Sequence, residues 1–293
     1  MPMIRPEHAG AAAAFASAVL WGLSYVAMKF ALADFHPMTM NFFRMASAFS
    51  ALVLFLPVTL RGARWQKGDW LLFLALVSFE PCLYEICESV ALTLTTASQA
   101  GMINATLPVF TGVFGYFMLR ERLSRLAWAG CGLTIAGAVW LSLAAVSAEG
   151  APNPLLGNVL MAAGMVVAAL YAVCFRKLSL RYSAMFIVTV QCLAGALFFA
   201  PALFLPGMGV PQGAAVFSWA CVLFLGIGVS CCALSLYGYG MSVLGASRAT
   251  MFMNLIPVFA VLFSMVILGE RMGPVQWLAS ALVFAGVLLS QKN

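Results

Sequence analysis

The sequence predicts an all-α polytopic membrane protein, and three observations support this fold class. First, 64% of the 293 residues are apolar and only 8% are charged, whereas soluble domains carry about 25% charged residues. Second, the mean hydropathy is +1.02, and the apolar residues form long runs without the period-2 alternation of barrel strands. Third, short clusters of charge, proline and glycine separate these runs. Together these features exclude a soluble globular enzyme and a disordered chain.

The breaks between the runs divide the chain into ten apolar segments, which we number 1 to 10. A helix needs about 20 apolar residues to cross a hydrocarbon layer of roughly 30 Å, and each segment is near that length. The segments cover residues 11–33, 37–57, 69–91, 96–119, 125–144, 155–175, 183–205, 215–236, 246–268 and 274–290. Segment 1 is longer than the apolar stretch of a signal peptide, so we predict that it is a membrane span.

The basic residues predict the orientation of these segments. Eleven of the fifteen lysines and arginines fall on one side of the membrane if both termini are cytoplasmic, and only Arg271 falls in a loop on the other side. The eleven are Arg5, Arg61, Arg64, Lys67, Arg120, Arg122, Arg125, Arg176, Lys177, Arg181 and Lys292. Cytoplasmic loops are enriched in Lys and Arg. The sequence therefore predicts ten transmembrane helices with both termini cytoplasmic, and no nucleic-acid partner is needed to explain the net charge of +6.

The chain contains an internal repeat. Residues 97–122 align without a gap on residues 246–271, an offset of 149, and eleven of these twenty-six positions are identical. A weaker similarity, with an offset of 147, relates Trp21–Lys29 to Ala168–Arg176. Self-similarity over this length indicates a duplicated structural unit.

The repeat predicts the domain organisation. Residues 1–147 form the first five-helix repeat and residues 155–293 the second, with a linker at 148–154. Because five is an odd number, the second repeat enters the membrane inverted relative to the first. Inverted repeats are typical of secondary transporters, in which two similar halves rock around a site near the midplane. The alternative is a duplication that serves stability alone.

Several motifs resemble one family. LPVFTGVFGYFMLRERLS (Leu107–Ser124) and IPVFAVLFSMVILGERMG (Ile256–Gly273) are similar to the signature that ends the fourth and ninth helices of EamA-type transporters, which belong to the drug/metabolite transporter superfamily. Trp21–Lys29 and Arg44 resemble the opening motif of that family and its helix-2 arginine, and Leu92–Ser98 resembles its junction between helices 3 and 4. The resemblance implies a ten-helix inner-membrane carrier with a central cavity, often an exporter and often driven by protons or by exchange.

Segment 3 carries the candidate coupling site. Glu80, Glu85 and Glu88 are a third of the nine acidic residues, and an ionisable residue inside a bilayer is a functional candidate because its burial is costly. Glu80, Tyr84 and Glu88 are spaced to share one face of a helix, and Pro81 predicts a kink beside Glu80. Histidine is absent from all ten segments, so we expect a carboxylate to carry the proton. Glu80, near the midplane, is the predicted proton or cation site.

Ion pairing is the alternative role for two of these acids. Arg44 enters segment 2 to a depth similar to that of Glu85 and Glu88, and a structural pair with Arg44 would neutralise one of them. The sequence leaves both roles open. Three acids against Arg44 and Lys29 leave one excess negative charge, which favours a zwitterionic or cationic substrate over an anion.

Polar and aromatic residues at similar depths complete the predicted substrate and coupling residues. They are Asn104, Asn254, Gln191, Trp21, Tyr25 and Tyr171, with Asn41 as a weaker candidate. The two asparagines precede Pro108 and Pro257, and they either contact substrate or satisfy backbone groups that the prolines free. Gln191 occupies the place of Arg44 in the repeat. The aromatic residues either pack among the helices or contact an apolar or cationic part of the substrate.

Other residues are predicted to have structural roles. Glu121 and Glu270 lie at helix ends, where we expect them to cap helices and hold the short turns, and Pro108 and Pro257 are structural or hinge positions. Small residues in segments 5 and 10 predict close helix approach, either within the chain or between two copies in a homodimer.

The sequence as a whole favours a secondary carrier that exports a small amphipathic metabolite, amino-acid-like or cationic, by alternating access. Uptake by the same fold is the alternative. The expected partners are the substrate, protons or a counter-substrate, and the lipid bilayer. No catalytic cluster of His, Ser-Lys or paired Asp is present, so neither an enzyme nor a cofactor or metal is expected.

Overall fold

The computed structural model describes residues 6–55, 66–119, 124–147, 150–244 and 252–290. The regular elements in these ranges are helices. In chain order they are Pro6–Asp34, Pro37–Val53, Asp69–Val77, Ser78–Leu83, Tyr84–Leu94, Ala97–Asn104, Leu107–Leu119, Arg125–Leu143, Pro154–Leu178, Ala184–Phe199, Ala200–Phe204, Val216–Leu223, Phe224–Ala233, Leu234–Leu244, Ile256–Ile267 and Pro274–Ser290.

Seven of the ten predicted segments, segments 1 and 3 to 8, form helical stretches long and apolar enough to cross a membrane. This confirms a multi-pass, all-α membrane protein. The described helices of segments 2, 9 and 10 are shorter, at 17, 12 and 17 residues. The count of ten spans and the cytoplasmic position of both termini stay predictions.

The chain forms two compact units, and each unit contains helices of both sequence repeats. Unit 1 comprises Met1–Arg64 and Tyr182–Phe263 and so holds segments 1, 2, 7, 8 and most of 9. Unit 2 comprises Trp65–Arg181 and Ser264–Asn293 and holds segments 3 to 6 and 10. The repeat boundary at residues 148–154 is a feature of the sequence, and its role as a domain boundary stays a prediction.

Small residues bring helices of unit 2 close together. Segments 5 and 10 pack closely, and two glycines show how close the approach is. A Cβ on Gly130 would lie only 2.7 Å from the carbonyl oxygen of Gly286. A Cβ on Gly137 would lie 2.8 Å from the amide nitrogen of Val283. Backbones approach this closely only where side chains are absent. The small residues therefore serve contact within the chain, one of the two roles that the sequence left open.

A small residue also allows two helices of unit 1 to approach closely. Segments 2 and 8 meet at Gly226, where a Cβ would lie 2.6 Å from the carbonyl oxygen of Arg44 and would collide with the hydroxyl of Ser47. Segment 1 also makes an aromatic contact with the helix Leu234–Leu244, between Trp21 and Tyr237, whose ring centroids are 5.4 Å apart.

The third helix of each repeat is irregular near its middle. In segment 3 the break lies at Ser78–Leu83, where Glu80 has extended backbone angles (φ −139°, ψ 126°) and precedes Pro81 through a cis peptide bond. This confirms the predicted kink, because a proline removes a helical hydrogen bond and crowds the preceding turn. In segment 8, Phe224–Ala233 is wound as a π-helix, and the repeat offset of 149 carries Ser78–Leu83 onto residues 227–232 inside it. Wide turns of this kind are frequent at functional sites.

Candidate functional site

The acidic residues of segment 3 lie in unit 2, one at the helix break and two in the helix that follows it. Glu80 is half-buried at the break itself, whereas Glu85 and Glu88 are buried, at 1% and 4% exposure. The hydroxyl of Tyr84 donates a hydrogen bond of 2.6 Å to Oε1 of Glu88. The helical spacing predicted from Tyr84 to Glu88 is therefore present, while the spacing from Glu80 to Tyr84 is interrupted by the extended residue.

Segment 6 packs against this acidic stretch. Gly164 lies beside Tyr84, since a Cβ on Gly164 would be 3.6 Å from the tyrosine ring and 3.2 Å from Cβ of Cys87. Tyr171, two turns further along segment 6, is half-buried, and its ring centroid lies 5.6 Å from that of Phe175. Segment 6 therefore covers the face of segment 3 that carries Tyr84 and Cys87.

Arg44 lies in unit 1 and is 8% exposed. Its Nε donates to Oγ of Ser230 at 3.2 Å, and its Nη1 lies 4.0 Å from the sulfur of Met28. Ser230 in turn donates to the carbonyl oxygen of Leu225 at 3.1 Å, inside the π-helical part of segment 8. Sequence reasoning missed Ser230, although the repeat offset of 149 equates it with Pro81. Pairing of Arg44 with Glu85 or Glu88 stays a prediction.

Three other predicted residues of unit 1 lie on segments 1 and 7. Gln191 is buried on segment 7, which packs against segment 2, so the repeat-equivalent pair Arg44 and Gln191 is carried by neighbouring helices. Tyr25 is buried and Trp21 is half-buried. The edge contact of Trp21 with Tyr237 supports a packing role for this tryptophan.

The two asparagines occupy matching places before helix starts. Asn104 ends one helix, and a new helix starts at Leu107 with Pro108 as its second residue. Asn254 lies in the turn before Ile256, so Pro257 is likewise the second residue of a helix. A proline in the first turn removes no intrahelical hydrogen bond. Both roles of the asparagines, contact with substrate and bonding to freed backbone groups, stay predictions.

Glu270 caps a helix that belongs to another part of the chain. Its Oε1 accepts from the amide of Ala97 and its Oε2 from the amide of Ser98, both at 2.9 Å. Glu270 was expected to hold the turn after segment 9, and the structure shows that it caps the start of segment 4. The first N–H groups of a helix and its dipole favour a carboxylate at that place. Glu121, its repeat equivalent, lies outside the described residues.

Sequence reasoning missed a buried polar cluster in unit 2. Nδ2 of Asn158 donates to Oε1 of Gln99 at 2.6 Å, and the hydroxyl of Thr95 donates to Oδ1 of Asn158 at 2.7 Å. All three side chains are buried. A cavity of about 210 Å³ beside Asn158 is lined almost entirely by apolar side chains of segments 4, 5 and 6, and no predicted site residue lines it.

Two further polar links were also missed. In unit 1 the carboxylate of Asp34 accepts from the hydroxyl of Ser218 at 2.6 Å and from the amide of Ala215 at 2.9 Å. In unit 2 the guanidinium of Arg181 forms an ion pair with the carboxylate of Asp69. The repeat offers the signal that could have found them, because its offsets equate Asp34 with Arg181 and Asp69 with Ser218.

Known proteins resemble this chain over its whole length. The model of the EamA-like transporter family matches residues 8–143 and 155–291, so one copy falls on each predicted repeat. A solved crystal structure, 22% identical, superimposes with a TM-score of 0.69 over 97% of this chain and 98% of its own. That structure supports the fold alone.

Two curated relatives extend the comparison. The uncharacterized transporter YetK of Bacillus subtilis (strain 168) is 31% identical over 210 residues, which are 71% of this chain and 64% of the relative. A probable terminal-alkyne amino-acid exporter of Streptantibioticus cattleyicolor is 27% identical over 198 residues, 67% of this chain and 65% of the relative. The chain therefore spans about two thirds of the length of these relatives. With both of its halves matched by the family model, the chain belongs to the EamA-like transporter family.

Proposed function

We propose that this protein is a secondary carrier of the cell inner membrane that exports a small amphipathic metabolite, either an amino-acid-like zwitterion or an organic cation. Transport proceeds by alternating access and is driven by protons or by exchange. The observation that carries the proposal is the set of three carboxylates on the interrupted helix of segment 3, two of which are buried.

The burial of these acids supports proton coupling. A carboxylate in a low-dielectric setting is costly to keep ionised unless a hydrogen bond or a counter-charge stabilises it. The Tyr84 hydroxyl donates a hydrogen bond to Glu88, whereas Glu80 lies at the break in the helix. A proton or a cationic substrate group would neutralise either acid, so occupancy of the site and protonation are linked.

The proposed substrate class has two supports. The acidic excess on segment 3 favours a positively charged group on the substrate. One relative is named as a probable terminal-alkyne amino-acid exporter, which agrees with an amino-acid-like substrate. The composition of the chain favours a carrier over an enzyme, since the segments lack a catalytic cluster of polar residues.

The test is flux in proteoliposomes that contain the purified protein. A panel of labelled amino acids and organic amines is loaded inside, and release is followed with and without a pH gradient. We expect release to rise with an inward proton gradient. Stimulated accumulation from outside under the same gradient would instead support the alternative, an uptake carrier.

Three single variants locate the coupling group. Glu80→Gln, Glu85→Gln and Glu88→Gln each remove one charge, and Glu7→Gln removes an exposed acid in the first turn of the helix Pro6–Asp34 as a matched control. We expect at least one segment-3 variant to lose about 90% of gradient-driven flux, equivalent to about 1.4 kcal/mol of activation free energy, while Glu7→Gln is unaffected. If all three retain both flux and its pH dependence, proton coupling through segment 3 is wrong.

A further inference from the structure

We infer that the bodies that move during transport are the two compact units, each built from helices of both repeats, and not the two sequence repeats. This inference rests on the proposed carrier function. The inference follows from the hydrogen bonds and the ion pair within each unit, which we call polar links. Each link described below joins the first sequence repeat to the second.

In unit 1 the link is made by Asp34, the last residue of the helix Pro6–Asp34 that contains segment 1. Its carboxylate accepts from the hydroxyl of Ser218 and the amide of Ala215, at the start of segment 8. Ala215 has no side chain that could cap this helix, so Asp34 supplies the cap from the other repeat. A second link joins segments 2 and 8 through Arg44 and Ser230.

Unit 2 carries the equivalent link at the positions that the repeat predicts. Arg181, just after segment 6, pairs with Asp69, the first residue of segment 3. The offset of 147 carries Asp34 onto Arg181, and the offset of 149 carries Asp69 onto Ser218. Each unit thus ties the end of the first helix of one repeat to the start of the third helix of the other.

Unit 2 has two more links of this kind. Asn158 of the second repeat is bonded to Thr95 and Gln99 of the first, and all three are buried. Glu270 of the second repeat caps the helix that begins at Ala97 in the first. Motion of one repeat against the other would leave the buried side chains of Asn158, Thr95 and Gln99 without these partners at each cycle, and an unsatisfied buried polar group is costly. Motion of the units leaves every one of these bonds intact.

Cross-linking inside a unit distinguishes motion of the two units from motion of the two sequence repeats. In a variant whose eight native cysteines are replaced by serine or alanine, one pair of substitutions is Asp34→Cys with Ser218→Cys, and a second is Asp69→Cys with Arg181→Cys. Each pair is closed with a short thiol-specific cross-linker that a reductant cleaves. Peptide mass spectrometry measures the linked fraction, and the single Ser218→Cys variant controls for modification of one thiol.

We expect linked and reduced protein to transport at rates within about two-fold of each other, because the links lie inside bodies that do not deform. Loss of transport on linking, restored by the reductant, would overturn the inference. Absence of flux from the cysteine-replaced parent protein, when the wild type is also inactive, would instead count against the proposed carrier function.

A distance measurement tests the same inference without transport. Spin labels at the exposed positions Leu71 and Leu180 report on two parts of unit 2 from different repeats, the start of segment 3 and the turn after the helix Pro154–Leu178. Labels at Ser50 and Leu71 report on two helices of the first repeat from different units. Between pH 5 and pH 8 in nanodiscs, or with added substrate, we expect the 71–180 distance to stay constant and the 50–71 distance to change by about 5 Å. A changing 71–180 distance, or a constant 50–71 distance, would contradict the inference.

Discussion

Glu270 and Ser98 are 172 residues apart in the chain, yet a carboxylate oxygen of Glu270 accepts a hydrogen bond of 2.9 Å from the amide of Ser98. The second oxygen binds the amide of Ala97. Glu270, near the end of the second repeated stretch (246–271), thereby caps the helix that begins the first repeated stretch (97–122). The two copies are interlocked at this point, which agrees with units assembled from both repeats.

Removing this cap should destabilise the protein. Glu270→Gln keeps the shape of the side chain but loses the charge that favours the helix N-terminus, so we expect a loss of about 1 kcal/mol. Arg271→Gln is the matched control, because it changes the neighbouring charge and leaves the cap in place. Thermal unfolding in detergent measures both variants, and an equal midpoint for the two would show that the cap contributes nothing.

The ion pair of Asp69 with Arg181 predicts that replacing the arginine destabilises the protein more than replacing the aspartate. Asp69 is 3% exposed, whereas the side chain of Arg181 is 39% exposed. Arg181→Gln leaves a buried carboxylate without this counter-charge, so we expect it to cost roughly 2 kcal/mol. Asp69→Asn leaves an arginine that can reach water, so we expect about 1 kcal/mol.

The double variant completes this test. If the two residues interact, its loss of unfolding free energy in denaturant is smaller than the sum of the two single losses. Additive losses would mean that the ion pair contributes nothing to stability.

Gly226 predicts a strong steric effect where segments 2 and 8 cross. A methyl group there would meet the hydroxyl of Ser47 and lie 2.6 Å from the carbonyl oxygen of Arg44. Gly226→Ala should therefore cost about 2 kcal/mol or more, since backbone cannot yield as a flexible side chain can. Gly132→Ala is the control, because a Cβ at Gly132 meets nothing within 4 Å. Equal thermal midpoints for these variants would contradict the close approach.

His36 predicts a pH dependence of stability outside the membrane-spanning helices. Its Nδ1 accepts from the amide of Met38 at 3.3 Å and caps segment 2, and burial lowers the pKa of His36 below its ordinary value of 6.5. The unfolded chain then takes up the proton first. Stability from this group is complete above pH 6.5 and declines as the pH falls from there through the lowered pKa of the folded protein.

His36→Asn isolates this contribution. Asparagine is a good N-cap residue that does not titrate. We expect the difference in unfolding midpoint between wild type and variant to change between pH 7.5 and pH 5, with the wild type losing more on acidification. Parallel curves over this range would rule out a role for His36.

Local features of the chain were open to prediction from sequence. Hydropathy located the helical segments because a span must be apolar over its own length, whatever it packs against. The kink at Pro81 was predictable because proline disturbs its own helix. The offset of 149 marked the repeat, and the family match confirms two copies of one model.

Partnerships between distant side chains were a different matter. A helix-end acid at Glu270 predicted a cap, but not that the capped helix starts at Ala97. Arg44 was identified as a buried charge, yet its partner Ser230 lies 186 residues away. Ser230 lies in a π-helical stretch that contains no proline, so the sequence carried no signal for this irregular winding. The cluster around Asn158 carried no local signal, because a single amide in an apolar run has no periodicity.

The amino-acid order by itself determined the membrane class, the helical segments, the duplication and the places where helices break, since each depends on composition and spacing along one stretch of chain. Tertiary structure alone decided which helices share a compact unit and which polar groups meet. Those choices depend on steric fit between helix surfaces, such as the approach of segments 2 and 8 at Gly226, and on the requirement that buried polar groups find partners.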